Sequence, residues 1–347
     1  MPPSLDPNLS FEQGPIRPPS EARSLLLRFT RNCPWNKCKF CPVYKRRQFS
    51  RRGLEEIKAD IDAAAAMRDQ IIALSWRMGR GGRVDDAVVQ AVFGHPGLSD
   101  SFRNVAAWLY YGGTQVFLQD GNSLLVKTAD LADILEYLKG RFPSIRRITS
   151  YARARTVSRK SVEELKELHR AGLSRIHIGM ETGYGPLLEF MKKGVTPEEQ
   201  VRGGRNVVES GISLSEYVMP GLGGVRWWRE HAVETARVLN RIDPDYIRLR
   251  TLYIRRDMPL FQKVQSGEFA RPSDDEIVAE IRLFLQTLDG IRSRVVSDHI
   301  LNLLEEVQGK LPEEKEMMLA VIDRYLSWPP EERLRFRVGR RLGYLRN

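Results

Sequence analysis

The sequence holds only three cysteines among 347 residues, at positions 33, 38 and 41. An odd, clustered set does not build a disulfide framework and points to a metal site instead. Long apolar runs are also missing: no stretch approaches the ~18–20 residues that span a bilayer. Residues 1–20 lack the basic start and apolar stretch of a signal peptide. Together these absences lead us to expect a cytoplasmic protein with no membrane span. Histidine is scarce, and none of His95, His169, His177, His231 and His299 lies within about fifty residues of Cys41. A compact zinc site would need a nearby fourth ligand, so zinc is the weaker reading of the cysteines. Acidic residues are in the minority, 44 against 55 Lys and Arg, which leaves a net charge of +11. That surplus suits nucleic acid, an anionic metabolite or an anionic surface and selects none of them.

What is present reads as an ordinary globular α/β chain. Six prolines fall within residues 1–20, which we expect to form a flexible arm. Order should begin with the apolar run Ser24 to Phe29, typical of a buried parallel strand. Apolar strand signals recur at 115–118, 147–151, 175–179, 214–219 and 246–252. Helical signals separate them, among them Leu54 to Ile71, Leu124 to Lys139 and Arg226 to Asn240. Ser161 with Glu164 and Thr196 with Glu199 are capping boxes, the second with Pro197 at the first helical position. About six strand–helix units between residues 24 and 255 imply parallel strands joined by helical crossovers. After Pro259 the strand signals stop, and Ser273 with Glu276 opens a region read as helical to the end. The expected division is an arm (1–20), an α/β domain (21–258) and a helical C-terminal region (259–347).

The three cysteines are spaced Cys33-x4-Cys38-x2-Cys41. Thiolates are natural ligands of iron–sulfur clusters, and close spacing lets one loop bind several irons. Three ligands leave one iron of a four-iron cluster open, where chemistry can take place.

The stretch from Leu26 to Cys41, with Phe40 just before the third cysteine, resembles the cluster loop of the radical S-adenosylmethionine superfamily. One extra residue between the first two cysteines departs from the commonest spacing of that family. The resemblance extends over roughly residues 20–255. Val116 to Asn122 stands where the family has a Gly-Gly-Glu element, so Asp120 or Asn122 would take the place of its glutamate on the methionine amino group. Ile176 to Gly183 with Lys192-Lys193-Gly194, and Val218 to Gly224, resemble segments of the branch that includes oxygen-independent coproporphyrinogen oxidase. The resemblance implies a partial (β/α)6 TIM-like barrel with a helical C-terminal extension. It implies that Cys33, Cys38 and Cys41 hold a [4Fe–4S] cluster and that Phe40 lies near the adenine of S-adenosylmethionine. By the same likeness Glu181 contacts the ribose and Lys193 approaches the carboxylate. A one-electron donor such as flavodoxin or ferredoxin reduces the cluster, S-adenosylmethionine is cleaved, and a 5′-deoxyadenosyl radical abstracts hydrogen from the substrate. Oxygen sensitivity follows. No cysteine follows Cys41, which excludes a second cysteine-held cluster among these residues.

Tyr246 to Leu252 alternates, with Ile247 and Leu249 on one face and Arg248 and Arg250 on the other. If the apolar face packs on helices, the two arginines point into the lumen and need anions. Glu181, Glu216 or Asp120 is the expected internal partner, and an anionic substrate is the other. His177 shares strand parity with Gly179 and Glu181 and is expected to face the same way. Arg248, Arg250 and His177 are therefore the candidate catalytic residues. His299 and Asn302 are read as neighbours on one helical face. A small-molecule substrate is favoured over nucleic acid, because no RNA-binding domain or aromatic-studded basic motif is evident. An RNA-modifying enzyme and a haem-binding, non-catalytic relative are the alternatives.

Overall fold

Leu25–Arg28 is the first strand, β1, and its Leu25 and Leu27 leave almost no surface exposed. The computed structural model describes residues 5–344. A two-stranded ribbon follows, β2 (Thr30–Arg31) paired antiparallel with β3 (Ser50–Arg51). Helix α1 (Leu54–Arg77) buries Ile57, Ile61, Ala64, Ala65 and Ile71, an i, i+4, i+7 stripe that explains why the alanine run is tolerated. Two helices that the sequence reading did not anticipate come next, α2 (Asp86–Phe93) and α3 (Asp100–Tyr110). Each begins with a side-chain cap, Asp85 on the Val88 amide and Ser99 on the Phe102 amide. Then come β4 (Gln115–Gln119), α4 (Thr128–Arg141), β5 (Arg147–Ala152), α5 (Ala154–Val157) and α6 (Val162–Ala171). The chain continues through β6 (Leu173–Glu181), α7 (Gly185–Phe190), α8 (Pro197–Glu209), β7 (Ser213–Val218), α9 (Gly224–Ile242) and β8 (Tyr246–Leu249). The anticipated capping boxes at Thr196 and at Ser273 form.

Six strands, β1 and β4 to β8, are the six expected. The region after residue 258 is not all helix. Helices α10 (Pro259–Gln265) and α11 (Asp274–Thr287) lead to β9 (Arg294–Val296), which pairs parallel with β8. β10 (Gly309–Lys310) then pairs antiparallel with β9. Three residues of strand among charged neighbours carry too little periodicity to be read from sequence. Helices α12 (Lys315–Ser327) and α13 (Pro330–Tyr344) end the described chain. The eight-stranded sheet has the order β1-β4-β5-β6-β7-β8-β9-β10 and stays open. It is a mixed α/β fold of partial-barrel type, not a closed barrel.

The chain divides into two units. One comprises residues 5–34, 46–152 and 163–176; the other comprises 35–45, 153–162 and 177–344. In the first, β1 pairs β4 and β4 pairs β5, all in parallel register. Its proline-rich start is held in place. Phe11 is buried with its amide on Ser101 Oγ, and Gln119 bonds the backbone of Gly14 and Ile16. Polar side chains thus anchor a segment whose composition alone suggested a flexible arm; residues 1–4 of that arm lie outside the described residues. In the second unit, α9 packs against α8 and α11 and buries His231, Ala232, Thr235, Ala236 and Leu239.

Candidate functional site

None of the three cysteines is in a disulfide, and each is half-buried. Among the described residues no group of three or more Cys, His, Asp or Glu side chains is gathered closely enough to hold a metal ion. In the second unit, Cys38 and Cys41 pack against an apolar cluster that includes Phe40, Met191, Met219, Ile254 and Leu260. Backbone bonds fix the segment: the Lys39 amide donates to Met191 O (2.9 Å) and the Leu260 amide to Lys39 O (3.0 Å). The donor chemistry suits an iron–sulfur cluster: soft thiols, partly open to solvent, on an irregular loop.

Residues 192–194 are clamped beside this segment. Trp35 Nε1 donates to Lys192 O (2.6 Å), and the Arg153 guanidinium donates to Lys193 O (2.7 Å) while lying 5.0 Å from the centre of the Trp35 ring. Gly194 has φ +68°, and a Cβ there would lie 2.2 Å from the Trp35 ring, so only glycine fits. The clamp aims Lys193, whose ammonium reaches Glu181 Oε1 at 2.9 Å and sits 5.5 Å from the Phe40 ring centre. Burial pulls the Lys193 pKa down, but the charges of Glu181 and Cys38 outweigh it and the net shift is upward. Glu181 ends β6 in the left-handed region (φ +67°), unusual for a residue with a side chain. Its carboxylate folds back over Gly179, where a Cβ would lie 2.3 Å from Oε1. Thus three of the expected cofactor residues, Phe40, Glu181 and Lys193, come together.

The sequence reading did not single out Glu216 as a site residue in its own right. It is 1% exposed, and neither carboxyl oxygen has a hydrogen-bond partner among the described residues. Burial pushes its pKa well above the usual carboxylate range; the Lys193 charge opposes this shift and Glu181 adds to it. A neutral acid is the form such a position tolerates. Its signal in the sequence was a lone acid in an otherwise uncharged strand.

Asp120 and Asn122, expected at the methionine amino group, are fully buried in the first unit. The Asp120 carboxylate accepts from Arg28 Nε (2.7 Å) and from the Asn32 amide (2.9 Å), and pairs with Arg28 Nη2 at 2.6 Å. It therefore fixes the backbone just before Cys33 and is already engaged by protein groups.

At the end of β8 the two arginines differ. Arg248 is buried and bonds Ser215 Oγ (3.2 Å) and Asp298 Oδ2 (3.1 Å). Its partner is thus Asp298, not Glu181, Glu216 or Asp120. Register explains part of this: Arg248 lies opposite Tyr217, whereas Glu216 lies opposite Ile247. Arg250 is exposed rather than buried, and its guanidinium has no ion pair or hydrogen bond among the described residues. It faces His299, whose Nδ1 accepts from the Leu301 amide (3.2 Å). Burial, and then the Arg250 charge, lower the His299 pKa to about 4, with Asp298 opposing. The imidazole is neutral at pH 7 with its proton on Nε2. Residues 297–304 form an irregular loop with a turn at 300–301, not the expected helix. Asn302 holds them by bonding the Thr251 amide and hydroxyl, Leu249 O and Ser297 Oγ. A cavity of about 630 Å³ opens directly beyond β8, lined by Thr251 to Ile254, Ile300 to Leu303, Arg271 and Arg340. His177 is fully buried, its ring 5.6 Å from that of Tyr217.

A buried neutral pair braces the turn after β7. His231 Nε2 lies 3.1 Å from Met219 O and 3.4 Å from Glu280 Oε1, and that oxygen accepts from the Gly221 amide at 2.8 Å. Burial lowers the His231 pKa to about 4 and raises that of Glu280 to about 8, so neither carries charge at pH 7.

The comparisons with known proteins agree with this picture. Residues 93–236 match the Radical SAM superfamily. The chain is 24% identical over 127 residues to a tRNA uridine(34) acetyltransferase of Methanocaldococcus jannaschii, a match covering 36% of this chain and 23% of that protein. The corresponding protein of Methanocaldococcus infernus is 21% identical over 122 residues, again covering 23% of its length. The chain therefore spans about a quarter of the length of these relatives. Among solved structures, the cobalamin-dependent S-adenosylmethionine radical enzyme OxsB superposes with a TM-score of 0.50 at 16% identity, covering 88% of this chain and 46% of that one, a likeness of fold. The cysteine loop and the strand order agree with that match over residues 93–236, and the cofactors of the Radical SAM superfamily are a [4Fe–4S] cluster and S-adenosylmethionine.

Proposed function

We propose that this chain is an enzyme in which Cys33, Cys38 and Cys41 hold the cluster and Phe40, Glu181 and Lys193 hold S-adenosylmethionine. The carrying observation is the clamped Lys193–Glu181 pair, which stands 2.9 Å apart beside Phe40 and Cys38. Bound there, the two cofactors supply one-electron cleavage of a carbon–sulfur bond and abstraction of hydrogen from an unactivated C–H bond. Lys193 is held protonated to receive a carboxylate, and Glu181 fixes both the ammonium and its own acceptor oxygen. Phe40 gives an apolar face for a base. Asp120 positions the backbone before Cys33, and Asn122 is the remaining candidate for the methionine amino group. Radical chemistry of this kind also needs a one-electron donor; flavodoxin or ferredoxin is the class we propose, in the cytoplasm. Among the described residues, no helix is long and apolar enough to cross a membrane.

The substrate carries an anionic group. Arg250 offers an unpaired guanidinium and His299 a neutral Nε2–H beside it, while Arg248 is already neutralised by Asp298. The adjoining cavity of about 630 Å³ falls within the range of sites for drug-sized ligands. His177, buried away from these donors' loop, is kept as a candidate on strand parity alone. A second reading, modification of RNA, is favoured by the match to the two tRNA uridine(34) acetyltransferases.

The test is anaerobic reconstitution followed by assay with dithionite and S-adenosylmethionine. Iron and sulfide should bind at about four each per chain, with release of 5′-deoxyadenosine and methionine. Replacing any one cysteine with serine should abolish both. A chain that binds no iron, or a triple variant that keeps it, sinks the proposal.

A further inference from the structure

The first unit carries an exposed patch that the cofactor site does not use. Helix α1 runs out into Trp76-Arg77-Met78-Gly79-Arg80-Gly81-Gly82-Arg83, eight residues with three arginines and no acid. This segment is a built loop. The Gly79 amide bonds Trp76 O, the Arg80 amide bonds Ser75 O, and Ser75 Oγ donates to Arg83 O. Gly79, Gly81 and Gly82 all have positive φ, which only a glycine-rich segment adopts without strain. The Trp76 ring lies against Gly82, yet it remains 65% exposed.

The end of α3 adds two more rings. Tyr110 and Tyr111 are 41% and 48% exposed, with ring centroids 5.1 Å apart at 81°. Arg83 of the loop is a charged neighbour of Tyr110, and Asp86 at the start of α2 takes its hydroxyl bond. The Arg23 guanidinium lies 4.6 Å over Tyr111. Asp85 lies 3.5 Å from Arg80 Nε. Three exposed aromatic rings thus stand among Arg23, Arg80 and Arg83.

Single exposed apolar residues are ordinary, but this combination is specific. Trp, Tyr and Arg also mark protein interfaces, and it is the run of three arginines without an acid in 76–83 that favours a polyanion here. Rings interleaved with guanidinium groups suit unpaired bases strung on phosphates: the rings stack and the arginines take the backbone charge. Paired bases offer no free face to stack. The glycines let the loop backbone come close to the chain it binds.

We infer that the end of α1, the loop 78–83 and the end of α3 form a binding surface for single-stranded RNA. This deepens the RNA-modifying reading and rests on it for the choice of RNA; it does not depend on the cofactor assignment. The sequence reading missed it because Tyr110 and Tyr111 stand over thirty residues from Trp76, and only the packing of α1, α2 and α3 brings them to one surface.

The experiment uses the full reconstituted chain and fluorescein-labelled dodecauridylate, with anisotropy read over a range of potassium chloride concentrations. Binding should fall steeply with salt. Trp76→Ala and Tyr111→Ala should each weaken it about tenfold at unchanged salt slope, as expected when stacking is removed. Arg80→Gln with Arg83→Gln should instead reduce the slope by roughly 1.4, about 0.7 for each phosphate no longer neutralised. A folding defect would not separate affinity from slope in this way. The inference is overturned if the wild type does not bind at low salt or if the ring variants bind like wild type. It is equally overturned if the same strand in deoxythymidylate binds more tightly, or if Trp76→Ala alters self-association and not RNA binding. Release of 5′-deoxyadenosine, measured in parallel, reports on the cofactor reading separately.

Discussion

The Lys193 ammonium and the Glu181 carboxylate face each other at 2.9 Å, each largely buried, on two segments twelve residues apart. Such a pair is costly to break from one side, because the survivor is left desolvated. Lys193→Met should therefore weaken S-adenosylmethionine by roughly thirtyfold, the loss of one charge-assisted hydrogen bond worth about 2 kcal/mol. Gly194→Ala tests the clamp without touching the ammonium. The new methyl group would collide with Trp35, displacing 192–194, and affinity should fall while iron content stays unchanged. Equilibrium dialysis with labelled S-adenosylmethionine reads both; an unaltered Kd in Lys193→Met would remove Lys193 from the cofactor site.

Arg250 and His299 make the second prediction. Arg250 is exposed and unpaired, so Arg250→Gln should leave folding intact. Slow cleavage of S-adenosylmethionine without substrate should persist at wild-type rate. Deuterium transfer from labelled cell extract into 5′-deoxyadenosine should drop about tenfold or more, because the anion no longer has a charged donor. His299→Ala should act in the same direction by removing the Nε2–H. Unchanged deuterium transfer in both variants would place the anion elsewhere.

Much of this was legible in the sequence because local chemistry dictated it. The cysteine spacing, the capping boxes at Thr196 and Ser273 and the six apolar strands all follow from residues close together in the chain. What escaped depended on residues far apart in sequence. Asp298 as the partner of Arg248 needs a fifty-residue connection, and the held start of the chain needs Gln119 to reach Gly14 and Ile16. The alternation from Tyr246 to Leu252 suggested one shared face for the two arginines, but it did not show that the strand ends at Leu249 and leaves Arg250 in solvent. Helices α2 and α3 were missed because each is short and follows a run of turns.

Glu216 yields a third prediction. The folded chain keeps the Glu216 proton that the unfolded chain gives up above 4.5, so wild-type stability falls as pH rises from there towards the raised folded pKa. The amide of Glu216→Gln has no proton to keep and escapes that decline. The variant should therefore gain on the wild type as pH rises. Chemical denaturation at about pH 5, 6.5 and 8 checks this, and a parallel decline of the two would mean that the carboxylate is charged and paired in the folded chain.

The His231–Glu280 pair gives opposite slopes in two pH windows. Glu280 is raised to about 8 from an ordinary value of 4.5, so the folded state keeps a proton that the unfolded state gives up. Its contribution is fully present below 4.5 and is lost as pH rises through 8. His231 is lowered to about 4 from an ordinary value of 6.5, so its contribution is fully present above 6.5 and is lost as pH falls through 4. Between 4.5 and 6.5 the two slopes cancel. Between 6.5 and 8 Glu280 acts without that compensation, at about 1.4 kcal/mol per pH unit, or about 2 kcal/mol across the window. Glu280→Gln should flatten that decline, because the amide still accepts from the Gly221 amide but does not ionise. Urea midpoints at about pH 5.5, 6.5 and 8 read the effect on the chain as a whole. If wild type and variant decline in parallel over the upper window, Glu280 is not the group that holds the proton.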